Sequence, residues 1–260
     1  MNFARQVVVA IGALALWAFG LVSYTLLQPQ PDSTAPAAAG DTSALVQSAT
    51  PTSAAFQVKQ PSPADIPDVL GPGQERPTAK KMAQLGGYLN EFWAQQFATD
   101  TAFKNKQWKP ITELYVDSDI ETCGQGANKR VGDYFCPGRY YISLDIAPWE
   151  ANGVPEVTTA RDFIVAHEWG HAVQESADIE LRDKDMELQA DCFGGSFLRY
   201  ASDKHLLSDA DLDLSTLHAT ARSIGDDIST PIPGSEHGTG EQRMESFDKG
   251  WMMSAAACLL

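Results

Sequence analysis

The residues with the most chemistry in this chain fall in two short phrases, "HEWGH" at 167–171 and "ELQAD" at 187–191. Residues four apart on a helix lie one above the other on the same face. His167 and His171 can therefore aim two imidazoles at one point, as a zinc ion bound at about 2.0–2.1 Å by each nitrogen demands. Glu168 lies about 100° round the helix, off that stripe but within reach of a water on an open coordination position. That is the arrangement of H-E-x-x-H metallopeptidases. Glu187 and Asp191 are also four apart. Glu187 supplies a third ligand, and Asp191 an acceptor for the outer nitrogen of a ligating histidine. Taken singly, the phrases also fit a hydrogen-bonded core histidine pair and a solvated acidic face; together they favour a metal. Gly194 and Gly195 follow directly, and each costs about 1 kcal/mol relative to alanine inside a helix. Close approach of this helix to the histidine helix accounts for both.

Three protein ligands leave a fourth position for water. Glu168 then acts as the base towards that zinc-bound water as it attacks a scissile carbonyl, and as the acid towards the leaving amine. The developing oxyanion calls for a further donor. His237, in the glycine-bearing loop "SEHGTGEQR", is the candidate; bracing that loop is its alternative role. His205 and His218 fall on ordinary helical stretches and read as surface residues.

The elements that position these residues are legible in outline. "PTAKKMAQLGGYLNEFWAQQF" places Met82, Leu85, Leu89, Phe92 and Trp93 at helical spacing, with Pro77 suited to the first turn. "ITELYVDS" and "DYFCPGRYYISLDI" read as strands. A helix over "TTARDFIVAHEWGHAVQES" opens on a capping-box pair, Thr159 and Asp162. "DKDMELQADCFGGSFLRYAS" is a second helix with Met186, Ala190, Phe193 and Phe197 on one stripe. "SDADLDLSTLHATARSIG" is a third, started by Ser208 and Asp211 and stopped by Gly225. "TGEQRMESFDKG" is the last, with Thr239 and Gln242 as another capping box. Strands first and helices afterwards make an α+β domain.

That domain occupies residues 77–260. Residues 1–27 contain a 21-residue uncharged run, Val7 to Leu27, long enough to span a bilayer. A retained signal anchor is expected from that length, although "AAAG" at 37–40 leaves cleavage open. Residues 28–76 are rich in Pro, Ala, Ser and Thr and read as a disordered tether. Arg5 precedes the span and no Lys or Arg follows before Lys59, which orients the domain outside the cytoplasm. The protein is thus expected at the cell membrane by a single pass, or secreted if cleaved. The net charge of -15 excludes a nucleic-acid partner. The four cysteines form no tight metal-binding pair, so disulfides are expected in an exported domain. Cys123 and Cys136 bracket a local loop, which leaves Cys192 to pair with Cys258. Two buried free thiols are the alternative.

"HEWGHAVQ", "ELQADCFGG" and "HGTGEQRMESFDKG" together resemble the neutral zinc metallopeptidase family of bacteria, over roughly Pro77 to the C-terminus. The resemblance implies Zn2+ held by His167, His171 and Glu187, with Glu168 catalytic. It also implies a zincin-like fold with a strand beside the active-site helix, and "YFCPGRYYISLD" is similar to the segment before that helix. By the same analogy Arg139, Tyr140 and Tyr141 line the cleft, and a substrate peptide adds as a strand along "YYISLD". The expected function is a zinc-dependent peptidase acting on a peptide or protein outside the cytoplasmic membrane. The alternatives are a zinc hydrolase of another amide, such as a cell-wall peptide, and a zinc-binding scaffold without turnover.

Overall fold

Pro77 fixes φ at a first helical position and a run of apolar residues at 3.6-residue spacing follows it, and the structure, a computed structural model, begins there the longest helix among the described residues. This helix, α1 (Pro77–Thr99), buries Met82, Leu85, Leu89, Phe92 and Trp93. The described residues are 60–118, 123, 132–151, 159–208, 212–226 and 237–259. The expected membrane span and most of the expected tether lie outside them. Among the described residues no helix is long and apolar enough to cross a membrane.

Among the described residues, four short strands form one sheet in the order β1 (Asp68–Leu70), β2 (Glu113–Val116), β4 (Tyr141–Leu144), β3 (Tyr134–Cys136). β1 pairs parallel with β2, and β2 parallel with β4. β3 runs antiparallel along the outer side of β4. The tether was expected to extend to residue 76, but β1 lies inside it. A three-residue strand flanked by prolines has no periodicity to read; its backbone pairing with β2 is what orders it. Side chains alternate across the sheet. Leu114, Val116, Phe135, Ile142 and Leu144 face the helical core. Tyr115, Tyr134 and Tyr141 cover the opposite face together with the Cys123–Cys136 disulfide.

After β4 come α2 (Ile146–Ala151), α3 (Thr159–Ser176), α4 (Asp183–Asp203), α5 (Leu214–Ser223) and α6 (Gly240–Met252), then a 3-10 turn at Ala255–Leu259. The class is therefore α+β, mainly helical with a small sheet before the histidine-bearing helix, the arrangement expected of a zincin-like domain. α5 starts later than expected, because the Asp213 side chain accepts the Thr216 N–H and caps it there. The capping box at Thr239 and Gln242 forms as expected.

α4 packs on α3 at one side and on α6 at the other. The two glycines of α4 serve different neighbours. A Cβ on Gly194 would lie 3.4 Å from the backbone of Ala166 and His167 on α3, whereas one on Gly195 would lie 2.3 Å from the Phe247 carbonyl on α6. The tightest α3–α4 contact is made from the other helix, where a Cβ on Gly170 would lie 2.8 Å from Ala190 Cα. The expectation that both α4 glycines serve the histidine helix is corrected to that extent. The second disulfide, Cys192–Cys258, ties the C-terminal turn to α4. In the chain-entropy model the 66-residue closure contributes about 4 kcal/mol and the 13-residue closure about 3 kcal/mol.

Candidate metal centre

α3 and α4 lie side by side, and each turns one stripe of its polar residues to the same point. His167 and His171 come from α3 and Glu187 from α4, and these three form the one His/Cys/Asp/Glu group able to hold a metal among the described residues. The His167 and His171 rings stand nearly perpendicular, with centroids 4.7 Å apart. Their Nε2 atoms are 3.2 Å apart, and Glu187 oxygens lie 3.2 Å from His167 Nε2 and 3.5 Å from His171 Nε2. A tetrahedral shell with ligands at about 2.0–2.1 Å has edges of about 3.3–3.4 Å. The two histidine nitrogens have that spacing, and one donor atom from each of the three residues lies within 4.8 Å of the others, close enough to converge on one ion.

The outer nitrogens agree with that reading. His167 Nδ1 lies 2.8 Å from Asp191 Oδ1 and His171 Nδ1 lies 2.9 Å from Gln174 Oε1. Each Nδ1–H can donate there, which turns both Nε2 lone pairs inward. Two lone pairs and a carboxylate facing one another repel unless a cation lies between them. Before a metal binds, a proton fills that role. Burial opposes the charge on His167, but Asp191 and Glu187 outweigh it and hold its pKa at about 10. Burial likewise opposes ionisation of Glu187, yet the His167 hydrogen bond and the two histidines hold it down to about 2.

Asp191, expected behind a ligating histidine, is fully buried and takes a second partner that the sequence does not announce. Arg243 on α6 spans both carboxylate oxygens, Nε to Oδ2 and Nη2 to Oδ1, each at 2.8 Å. Its Nη1 donates to the Ile224 carbonyl at 3.1 Å. Arg243 Nη2 is also 3.2 Å from His167 Nδ1, but two donors meet there, so the contact is packing and not a bond. Its only local mark in the sequence is that it directly follows Gln242 of the capping box.

The donors open onto a cleft of about 750 Å³, within the range of small-molecule and peptide sites. Glu168 is 5% exposed and lines this cleft, and its carboxylate makes no hydrogen bond to any described residue. His237 reaches the same cleft at its α5–α6 side, held by Asp226. Its backbone N–H donates to Asp226 Oδ2 at 2.7 Å, and its Nδ1 is 3.3 Å from Asp226 Oδ1. Its loop bracing and its position at the cleft are thus both present.

Three expectations about other residues are corrected. Arg139, Tyr140 and Tyr141 do not line the cleft; Asp133, Tyr134, Phe135 and Pro137 do. The Tyr140 hydroxyl is turned away to the Lys109 carbonyl and Ser176 Oγ, and Tyr141 packs under the outer disulfide. β4 cannot accept a peptide strand, because β2 and β3 occupy both of its edges. Among the described residues, the edge strand beside α3 is β3. His218 is not a plain surface residue: its Nε2 meets Asp248 Oδ1 at 2.6 Å and its ring stands on Phe247. His205 is exposed as expected.

Comparison with known proteins identifies a family of this chain. The chain matches the family described as "Putative neutral zinc metallopeptidase" over residues 39–258. It is 28% identical over 212 residues to the uncharacterized protein YpfJ of Escherichia coli K12, covering 70% of each chain. It is 26% identical over 230 residues to the uncharacterized protein Rv2575 of Mycobacterium tuberculosis, covering 73% of this chain and 76% of that one. No solved structure matches significantly.

Proposed function

Since the chain belongs to the neutral zinc metallopeptidase family, we propose that it is a zinc-dependent peptidase that hydrolyses peptide bonds outside the cytoplasmic membrane. One observation carries the reading. Three convergent donors share a cleft with a carboxylate that makes no hydrogen bond to any described residue. His167, His171 and Glu187 would hold the ion. When bound, zinc polarises a carbonyl and lowers the pKa of water towards neutrality.

The chain's own residues do the rest. Glu168 takes a proton from the attacking water and delivers it to the leaving amine, using a carboxylate that accepts no hydrogen bond from any described residue. Asp191 holds His167 in the tautomer with Nε2 free, and Arg243 holds Asp191. β3, the edge strand among the described residues, offers its outer side to an extended peptide, and Phe135 and Pro137 line the cleft. His237 supplies a donor from the opposite rim, and Asp226 sets its position. The two disulfides suit an oxidising compartment, in keeping with export by the N-terminal segment.

The test is Glu168→Gln. The variant should bind zinc and melt like wild type while peptide hydrolysis falls about 10²–10⁴-fold, the range that general acid–base assistance supplies. Cleavage at the wild-type rate would remove Glu168 from the mechanism. Wild-type protein that cleaves equally well after chelation would remove zinc.

A further inference from the structure

Among the described residues, no charged group is bonded to the outer nitrogen of His171. Its Nδ1 meets the side-chain amide of Gln174, and an amide can be turned either way, as donor or acceptor. Two backbone carbonyls decide the direction. Gln174 Nε2 lies 2.7 Å from the Met186 carbonyl, which can only accept. The Gln174 nitrogen must therefore face Met186 and its oxygen must face His171. His171 Nδ1 then carries the proton and donates it, and Nε2 keeps its lone pair for the metal.

The chain of bonds continues. The second N–H of Gln174 reaches Gln189 Oε1 at 3.2 Å, and Gln189 Nε2 donates to the Cys258 carbonyl at 2.9 Å. That carbonyl again only accepts, so the second amide is oriented as well. Every donor points the same way, from His171 through Gln174 and Gln189 to the main chain of the C-terminal turn. Gln174 is 2% exposed, so water does not compete for it. Met186 immediately precedes Glu187, which lets Gln174 tie one ligand to the backbone beside another. Cys258 is bonded to Cys192, the residue after Asp191.

We propose that Gln174 and Gln189 are positioning residues that fix His171 with its Nε2 free for the metal, and that the Cys192–Cys258 bridge serves the metal site by holding the carbonyl at the end of this relay. The proposal rests on the zinc reading above. It makes the C-terminal turn, 87 positions from His171 in sequence, part of what sets metal affinity.

The test measures zinc affinity of the purified full chain by competition with a chromophoric chelator. Gln174→Ala should weaken binding about 10–100-fold, as loss of a ligand's hydrogen-bond partner generally does. Gln189→Ala should weaken it by a smaller factor, about tenfold. Gln174→Glu keeps an acceptor for His171 but presents no N–H to Met186, and should fall between Gln174→Ala and wild type. A proton NMR readout separates orientation from general loosening. In zinc-loaded Gln189→Ala, exchange of the His171 Nδ1 proton with water should accelerate while that of His167 does not. Replacing Cys192 and Cys258 together with serine should weaken zinc about as much as Gln189→Ala.

Wild-type affinity in both glutamine-to-alanine variants overturns the relay, and wild-type affinity in the double cysteine variant removes the bridge from it. Should the double variant not fold, the glutamine variants still decide. Wild-type protein that bound no zinc at all would overturn this inference and the zinc reading together.

Discussion

His167 and His171 present equivalent nitrogens to one point, yet what stands behind them differs in kind. Behind His167 is a charged pair: Asp191 is fully buried, Arg243 is 3% exposed, and two 2.8 Å bonds join them. Behind His171 is a row of neutral amides ending on a main-chain carbonyl. The difference teaches where each support is vulnerable. A buried ion pair is costly to break, because the surviving charge has nowhere to go. A neutral relay loses less at each link, since a typical net hydrogen bond contributes about 1 kcal/mol, but it depends on more of the chain.

The largest expected effect follows directly. Asp191→Ala leaves the Arg243 guanidinium buried without its carboxylate, and should destabilise the metal-free protein by about 3–5 kcal/mol. Adding Arg243→Met should recover part of that loss, because the stranded charge goes with it. Gln189→Ala on the other side should cost about 1 kcal/mol. Denaturant unfolding of the chelated proteins measures all three. A Gln189→Ala loss equal to that of Asp191→Ala would break the contrast.

The same contrast explains what the sequence discloses. The spacing of His167, His171, Glu187 and Asp191 is local to two helices, so helical geometry alone brings them together. Glu168 is legible for the same reason. Arg243 is 52 residues from Asp191, and nothing in "GEQR" states that α6 will lie against α4. Gln174 stands in "HEWGHAVQ" three residues after a ligand, at a spacing that places it near His171, but its role depends on the Met186 carbonyl of another helix. β1 is too short to show a period, and its partner strand lies 45 positions further on. The cysteine pairing was legible because one loop is short and only two cysteines then remain. The assignment of the cleft wall to Tyr140 and Tyr141 failed because strand order is decided by pairing, which leaves β4 with no free edge.

A second effect should follow pH. In the metal-free protein Asp191 and Glu187 keep a proton on His167 up to about pH 10. Metal must displace that proton, so apparent zinc affinity should rise about tenfold per pH unit between pH 6 and 8. Chelator competition at several pH values would show it. Asp191→Asn removes the main charge that favours the proton, and should flatten the slope. A slope unchanged by Asp191→Asn would mean that the ionic support does not govern His167.

The smallest effect compares two carboxylates of the same cleft. Glu187 faces His167 and His171 and is held down to about 2, despite its burial. Asp133 has no such partner among the described residues. Burial pushes it well above the ordinary range, and Glu168, Asp145 and Asp117 add repulsion that the Asp145 N–H, donating at 2.9 Å, does not offset. The signs of their stability contributions are therefore opposite. For Glu187 the folded pKa lies below the unfolded one. Its contribution is present above about pH 4.3 and is lost as pH falls towards 2. For Asp133 the folded pKa lies above the unfolded one. Ionising it costs stability as pH rises above about 3.9, and the cost is complete once the folded pKa is passed. Asp133→Asn removes the charge and keeps an oxygen for the Asp145 N–H. Metal-free Asp133→Asn should thus melt higher than wild type at pH 7.5, with the gain vanishing near pH 4. Metal-free Glu187→Gln should melt lower than wild type at pH 7.5, with the deficit shrinking as pH approaches 2. Melting curves across pH 3–8 would show whether the two differences carry opposite signs. A destabilised Asp133→Asn at pH 7.5 would mean that the Asp133 charge is matched by a cation within the fold.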